Sequence, residues 1–105
     1  MIVVTVMYPE SEGATFDMDY YLTSHLKLIG EKWGGMGLKG ARVLKGIAGG
    51  TPGSAAPYRV MAIVDFESSG AFQAAMDAHG DEIFGDIPNF TNITPVVQIS
   101  DIAAG

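Results

Sequence analysis

Apolar residues follow two different periods along this chain and divide it into predicted strands and helices. The opening segment, Ile2 to Tyr8, is rich in β-branched residues and apolar at both alternating sets of positions, which is typical of a strand covered on two sides. From Met18 to Trp33 the apolar positions recur at steps of three and four residues, the spacing of one buried helical face. Asp17 is the expected N-cap of this first helix, and Gly34-Gly35 is expected to end it.

The second half of the chain predicts two strands, a helix and a final strand. Residues 38–48 and 58–66 are predicted strands, and the glycine- and proline-rich stretch between them favours a long antiparallel hairpin. A second helix is expected to begin after Ser68 or Ser69 and to end at Gly80. Residues 81–91 are expected to be irregular, and residues 95–100 form the last predicted strand.

This β-α-β-β-α-β order predicts an α+β, ferredoxin-like fold. The rules of adjacency and crossover handedness arrange such elements as a four-stranded antiparallel sheet with both helices on one face. Because the strands carry apolar residues on both faces, the uncovered face would expose a large apolar patch. We therefore expect a homodimer that pairs through the open sheet face. No repeat, linker or second domain is visible, and residues 1–105 are expected to form a single domain.

The composition narrows the classes of partner. Hydrophobic residues make up 48% of the 105 residues and charged residues 17%, which is more apolar side chain than a small monomer needs for its interior. A net charge of −6 argues against nucleic-acid binding, which depends on Lys and Arg at the phosphates. The lack of cysteine excludes disulfides and thiol nucleophiles. The longest apolar run, Ile2 to Tyr8, is too short to span a bilayer and lacks the features of a signal peptide, so we expect a cytoplasmic protein with no membrane partner.

His25 is the residue of the first helix whose type is least expected at its position. It lies near the centre of the apolar stripe, where a purely structural core would favour leucine. A neutral imidazole with a pKa of about 6.5 can act as a general acid or base, or hold a substrate oxygen by a hydrogen bond. Tyr21 precedes it by one turn on the same face, so the two form the candidate catalytic pair. The alternative is that His25 bonds a backbone or tyrosine partner and only fills space, and that Tyr21 is a core aromatic.

Other aromatic residues are predicted to wall a pocket for a small hydrophobic molecule between the first helix and the sheet. The candidate substrate-pocket residues are Tyr8, Trp33, Tyr58 and Phe90. Aromatic residues at such positions also serve as ordinary core. Tyr20 is expected to face the exposed side of the helix and to edge an interface, and His79 is expected to cap the C-terminal end of the second helix. The two histidines lie on different predicted helices, and no His-x-x-x-His or Glu-x-x-His pattern would put two metal ligands on one helical face. We therefore expect no metal, and we also expect no cofactor.

A set of residues spread over nearly the whole chain carries a resemblance to a known family. The motif Phe-Asp-x-x-Tyr-Tyr-x-x-x-His covers residues 16–25, and the set is completed by Tyr8-Pro9, Gly13, Leu28 and Asn89-Phe90-Thr91. The sequence resembles the EthD family, named for ethyl tert-butyl ether degradation. The resemblance implies ferredoxin-like units that dimerise into an α+β barrel, in agreement with the strand order.

The resemblance implies less about chemistry than about shape. The namesake of the family accompanies an oxidative degradation pathway. Relatives in the same fold superfamily include cofactor-free monooxygenases, muconolactone isomerases, polyketide cyclases and haem proteins, so one architecture hosts many reactions.

Three hypotheses of function stay open at this point. The first is a cofactor-independent enzyme, oxidoreductase-, isomerase- or cyclase-like, that uses His25 and Tyr21 on a small hydrophobic oxygen-bearing molecule. The second is a non-catalytic protein that binds such a molecule or assists an oxygenase. The third is a stress-related dimeric assembly module, in which His25 is a satisfied core residue.

Overall fold

Four antiparallel strands form one sheet in the computed structural model of the chain, which describes residues 1–105. The strands are β1 (Ile2–Pro9), β2 (Leu38–Lys45), β3 (Tyr58–Phe66) and β4 (Val96–Asp101), and their spatial order is β2-β3-β1-β4. Strand β1 lies inside the sheet and pairs with both β3 and β4, as its apolar residues on both faces predict. The two edges of the sheet are formed by β2 and β4.

Two helices complete the fold. Helix α1 covers residues 18–33 in three parts, an α-helical start at Met18–Tyr20, a π-helical segment at Tyr21–His25 and an α-helical part at Leu26–Trp33. Helix α2 is Ser69–Gly85, and a short 3-10 turn follows at Ile87–Asn89. None of these helices combines the length and the apolar character that crossing a membrane requires.

Side-chain caps begin both helices where the sequence predicts them. Asp17 Oδ1 accepts a hydrogen bond from the Tyr20 N–H at 3.0 Å, and Ser68 Oγ accepts one from the Ala71 N–H at 3.0 Å. Each cap pairs a backbone donor that the first turn of a helix otherwise leaves free. Both predicted starts are therefore confirmed.

Both helices pack on the same face of the sheet. The even-numbered residues of β1 and β3 lie on this face and join α1 and α2 in one core. The buried members of this core are Ile2, Val4, Ile29, Trp33, Ala62, Val64, Phe66, Phe72, Ala75 and Ile83. The indole N–H of Trp33 donates to the Ala75 carbonyl at 2.9 Å and ties α1 to α2. The predicted α+β, ferredoxin-like arrangement of one antiparallel sheet and two helices is confirmed.

The opposite face of the sheet has no helix above it and carries a patch of apolar residues, with Arg42 and Gln98 of the edge strands on the same face. Its half-buried residues occupy odd-numbered positions of the two inner strands and are Val3, Thr5, Met7, Met61 and Ile63. Leu44 of β2 lies opposite Met61, and Val96 of β4 lies opposite Met7, so both continue this surface to the edges of the sheet. We call these seven residues the open face.

The second helix is longer than the sequence predicts. It does not end at Gly80 but continues to Gly85, so residues 81–85 are helical and the prediction of an irregular segment is wrong there. Gly80 is buried, and a Cβ atom at this position would lie 3.0 Å from Met76 Cε. Because the space beside it is filled by a methionine of the preceding turn, this glycine serves close packing and does not cap the helix.

Two strand boundaries also differ from the prediction. Strand β2 ends at Lys45 and not at residue 48. The Gly46 N–H still donates to the Arg59 carbonyl at 2.9 Å, and a side chain at Gly46 would collide with the Tyr58 carbonyl. Strand β4 begins at Val96 and not at Pro95, since proline has no N–H to donate to a sheet ladder.

Candidate active site

A histidine and an aspartate from distant parts of the chain meet beside the core. His25 Nδ1 and Asp86 Oδ2 lie 2.9 Å apart. His25 ends the π-helical segment of α1 and Asp86 directly follows α2, so the packing of the two helices brings the side chains together. His25 is 3% exposed, whereas 12% of the Asp86 side chain is exposed. We call these residues the His25–Asp86 pair.

Three donors hold the Asp86 carboxylate. Its Oδ1 accepts from the Tyr20 hydroxyl at 2.7 Å and from the side-chain amide of Asn89 at 2.9 Å, while Oδ2 faces His25. Burial raises the pKa of Asp86, but the hydrogen bonds from Asn89, Tyr20 and His25 outweigh it and hold the pKa below its ordinary value of 3.8. Asp86 is therefore ionised near neutral pH and can only accept hydrogen bonds.

This carboxylate sets the tautomer of His25. Burial lowers the pKa of His25 below its ordinary value of 6.5, and the hydrogen bond and charge of Asp86 oppose this change without reversing it. The neutral ring carries one proton, and since Asp86 can only accept, that proton is on Nδ1. The other ring nitrogen, Nε2, forms no hydrogen bond with the protein and keeps its lone pair, so it is the basic atom of the site.

His25 lines a cavity between the helices and the sheet, which we call the His25 cavity. Residues of β1 and β3, including Val4 and Ala62, form its floor, and α1 and α2 supply its walls, including Ile29 and Phe84. The cavity offers about 30 Å³ to the centres of water-sized molecules, which is room for roughly two of them. Most of the lining is apolar. The cavity therefore suits a small, largely hydrophobic group.

Aromatic rings hold the imidazole in place. The Tyr21 ring stacks on it with centroids 5.2 Å apart and an interplanar angle of 24°, and the Phe90 ring lies at 4.7 Å. The Leu26 N–H donates to the Tyr21 carbonyl five residues earlier, the wide winding of a π-helix, which occurs frequently at functional sites. Tyr21 and His25 are thus positioned by a local departure from regular helix geometry.

Two buried tyrosines line the same cavity. Tyr8 of β1 and Tyr21 of α1 both line it, and each residue is 1% exposed. Burial raises the pKa of Tyr21 to about 12, and burial together with the neighbouring Tyr21 raises the pKa of Tyr8 still further. Every side-chain nitrogen or oxygen that is sealed from water has a hydrogen-bond partner. Since neither hydroxyl bonds to the protein, each one borders space that a water-sized molecule reaches.

No group of three or more histidine, cysteine, aspartate or glutamate side chains is arranged to hold a metal ion. The site consists of one imidazole with its carboxylate and two phenols among apolar side chains.

No protein-family model matches the sequence, and neither does any curated protein. A solved structure of an EthD-like protein from Ralstonia eutropha JMP134 is 41% identical to it, and the match covers 98% of this chain and 92% of that protein with a TM-score of 0.89.

The chain belongs to the EthD family.

Two further structures extend the similarity to the fold. An EthD family protein from Bacillus halodurans C-125 is 20% identical over 96% of this chain and 97% of its own, with a TM-score of 0.72. A dimeric ferredoxin-like protein from an uncultured marine organism is 10% identical over 100% of this chain and 97% of its own, with a TM-score of 0.56. At these identities the likeness concerns the ferredoxin-like fold of this EthD protein.

The structure brings most of the predicted site residues together. Tyr8, Tyr21, His25 and Trp33 line the His25 cavity. Phe90 packs against the rings of His25 and Tyr21 without lining it. Tyr58 lies apart from them, half-buried at the first position of β3 and opposite Pro9 of β1.

Two further residues have different surroundings from those the sequence predicts. Tyr20 does not simply face solvent, because its hydroxyl reaches across to Asp86. His79 lies within α2 and not at its end, and its Nδ1 is 3.0 Å from Glu82 Oε1. The predicted capping role of His79 is therefore wrong, because the helix continues past it.

Sequence reasoning missed Asp86. The carboxylate lies in residues 81–91, which were expected to be irregular and to contribute only apolar anchors. One local signal points to it, since Asp86 stands three positions before Asn89, the start of the Asn-Phe-Thr motif that carries part of the family resemblance. The contact of Asn89 with Asp86 shows that this motif also helps to hold the carboxylate.

Proposed function

We propose that this EthD family member binds a small hydrophobic oxygen-bearing molecule in the His25 cavity and transforms it by proton transfer, without a cofactor. His25 is the general acid and base of the reaction, and Tyr21 assists it. Asp86 is the positioning residue that fixes the ring and its tautomer. The family name suggests oxidative catabolism as the setting, and the reaction is oxidoreductase-, isomerase- or cyclase-like.

One observation carries this proposal. His25 donates through Nδ1 to an ionised carboxylate at 2.9 Å, while Nε2 has no protein partner and the residue lines a cavity. A histidine that only filled space would have no need of a ring nitrogen that lacks a hydrogen-bond partner in a residue lining a cavity. The carboxylate-histidine arrangement holds a base in one orientation and stabilises the imidazolium that forms when the base takes a proton.

The surroundings of His25 support the ligand class. The cavity walls carry aliphatic and aromatic side chains and the neutral imidazole, and no charged group. An ionic ligand would lose its hydration there without gaining an ion pair. A small neutral molecule with one or two oxygen atoms fits the lining, because its apolar surface replaces water and its oxygens meet the few polar groups.

The test is a ligand screen on three proteins. Small aldehydes, ketones and alcohols are offered to the wild type, to His25→Gln and to His79→Gln, and binding is followed by ligand-observed NMR and thermal shift. The His79 variant is a matched control, because His79 also faces a carboxylate at 3.0 Å but lies far more exposed on α2. We expect His25→Gln to weaken binding of the best ligand by about tenfold or more, and His79→Gln to leave it unchanged.

The same screen separates the other hypotheses. Ligand binding that depends on His25 without any turnover of the bound compounds would favour a binding or accessory protein. Loss of thermal stability in His25→Gln, with no ligand for either protein, would favour the assembly module and contradict the proposal.

We further propose that the protein forms a homodimer through the open face. The apolar residues of this face lie on all four strands, from Leu44 at one edge to Val96 at the other, and each of these two is more than two fifths exposed. An apolar face of this kind on a small protein favours a partner surface. The structural neighbour described as a dimeric ferredoxin-like protein supports pairing of this fold.

A further inference from the structure

The His25 cavity offers only a few polar groups to a ligand. Four of its lining residues carry a side-chain nitrogen or oxygen, namely Tyr8, Tyr21, His25 and Trp33. The Trp33 indole N–H is already engaged with the Ala75 carbonyl at 2.9 Å. Two hydroxyls and the lone pair of His25 Nε2 therefore remain.

These three groups come from two walls of the cavity. Tyr8 belongs to the sheet and Tyr21 and His25 to helix α1, with ring centroids 6.2 Å apart for the tyrosines and 5.2 Å apart for Tyr21 and His25. The hydroxyls can donate hydrogen bonds, whereas Nε2 can only accept one in the neutral ring. A complementary ligand presents an acceptor oxygen to the hydroxyls and an acidic hydrogen, on a neighbouring atom, to Nε2.

We propose that the ligand is a small enolisable carbonyl compound whose oxygen is held by the hydroxyls of Tyr8 and Tyr21 while His25 Nε2 removes the proton from the adjacent carbon. This inference rests on the proposed function and specifies its substrate class and its type of reaction. It assigns Tyr8 and Tyr21 a shared catalytic role as donors to the developing oxyanion.

The proton-transfer step balances without any further reactant. The C–H bond breaks and its proton forms a bond to Nε2, and its electron pair becomes the carbon-carbon double bond of the enolate. The π pair of the carbonyl moves onto the oxygen, where the two O–H groups stabilise the negative charge. Delivery of this proton from Nε2 to the far carbon of a conjugated enolate moves the double bond and regenerates the neutral base, whereas its return to the original carbon regenerates the substrate and is observed as hydrogen exchange.

The raised pKa values of both tyrosines agree with this assignment. Burial keeps each phenol protonated at neutral pH, so each hydroxyl is a donor and not a competing base. The lowered pKa of His25 keeps its Nε2 unprotonated over the same range. The cavity thus combines a neutral base with neutral donors, which is the arrangement that enolisation requires.

The test measures exchange of carbon-bound hydrogen. Acetone and acetaldehyde, which are close to two water molecules in size, are incubated with the protein in D₂O, and loss of the proton signal next to the carbonyl is followed by NMR. 2-Propanol serves as a ligand of similar size that presents one oxygen and no enolisable hydrogen, and its binding is measured by thermal shift. The variants are Tyr8→Phe, Tyr21→Phe, His25→Gln and, as a control that loses a hydroxyl on the outer side of α1, Thr23→Val.

We expect wild-type protein to accelerate exchange for at least one of the two carbonyl probes. Each tyrosine variant should lower the rate by about 10- to 100-fold and His25→Gln should abolish the acceleration, while Thr23→Val keeps it. Equal melting temperatures of the variants, or residual binding of the ketone by Tyr8→Phe and Tyr21→Phe, show that the fold of each variant is intact.

Two results would overturn this inference and leave the proposed function standing. One is 2-propanol binding that depends on His25 in a protein that exchanges neither carbonyl probe. The other is exchange that depends on His25 but is unchanged in both tyrosine variants. If neither binding nor exchange depends on His25, the proposed function itself fails.

Discussion

Asp86 Oδ2 lies 2.9 Å from His25 Nδ1, although the two residues are 61 positions apart in the chain. The contact joins the middle of α1 to the residue that follows α2, so it exists only when the two helices are packed. The orientation of the candidate base is in this way coupled to the tertiary fold. Any change that loosens the helix pair should also disturb the site.

Asp86→Asn tests the role of the carboxylate. The amide can no longer stabilise a positive charge on His25, and its NH₂ group can turn toward the ring and reverse the tautomer, so that Nε2 carries the proton. We expect the rate of any His25-dependent reaction to fall by about 10² or more, with a smaller change in ligand affinity. The measurement is a comparison of kcat and KM with the wild type.

Asp81→Asn is the matched control for this change. Asp81 is exposed on α2, the helix that Asp86 follows. Asp81→Asn removes the same charge from the protein without touching the His25–Asp86 pair. Equal losses of activity in the two variants would mean that net charge, and not the position of Asp86, is what matters.

The stability of the protein should depend on pH through His25. Because burial lowers the pKa of His25 below 6.5, the unfolded chain binds a proton that the folded protein does not accept. The free energy of unfolding should therefore fall as the pH drops through about 6.5. Once the pH is below the pKa of His25 in the folded protein, further acidification no longer changes this contribution. Asp86 acts in a separate window, since its lowered pKa stabilises the fold above 3.8 and this stabilisation is lost in stronger acid.

Thermal unfolding of the wild type and His25→Gln between about pH 8 and pH 5 measures this dependence. The slope should be smaller in His25→Gln. A wild-type melting temperature that stays constant over this range, or rises toward pH 5, would contradict a neutral buried His25.

Gly37 should not tolerate a side chain. Its φ is +96°, in the region that favours glycine, and a Cβ atom there would lie 2.8 Å from Ala71 Cβ on α2. Gly37→Ala therefore strains the connection between α1 and β2, and we expect a loss of about 1–3 kcal/mol in the free energy of unfolding. Urea denaturation measures the loss.

Gly35→Ala is the control for this prediction, because nothing lies within 4 Å of the Cβ it would add. Its free energy of unfolding should stay within about 0.5 kcal/mol of the wild type. Similar values for the two variants would show that the backbone at Gly37 adapts to a side chain.

A charge at the centre of the open face should prevent dimerisation. Met61 lies on β3 between Met7 of β1 and Leu44 of β2, so Met61→Asp would bury a carboxylate among apolar residues of the proposed interface. We expect the dimer dissociation constant to rise by about 30-fold or more. Light scattering after size-exclusion chromatography over a dilution series measures it.

Leu22→Asp is the corresponding control, because Leu22 is an exposed leucine of α1, which packs on the other side of the sheet. It should leave the dissociation constant unchanged. A wild type that stays monomeric at high concentration, or a Met61→Asp protein that still dimerises, would show that the open face is not the interface.

Local patterns predicted much of the fold because strands and helices differ in the period of their apolar residues. The two-faced apolar run of β1 predicted an inner strand, and the steps of three and four residues from Met18 to Trp33 predicted α1. Caps such as Asp17 are local as well, since they act within one turn. The end of α2 could not be predicted in this way. Glycine often ends a helix, but Gly80 lies within α2, where it packs beside Met76.

The sequence by itself determined the order of the elements, the apolar residues on both sheet faces and the choice of His25 as the candidate site residue. His25 could be chosen from the sequence because a polar imidazole is unusual among the apolar residues of a buried helix face. Only the tertiary structure decided that Asp86 is its partner, that Nε2 is the free nitrogen and that Tyr8 and Tyr21 share one cavity with it. The physical reason is that side chains from α1, β1 and the end of α2 meet through packing, and contacts between distant segments leave no periodic trace along the chain.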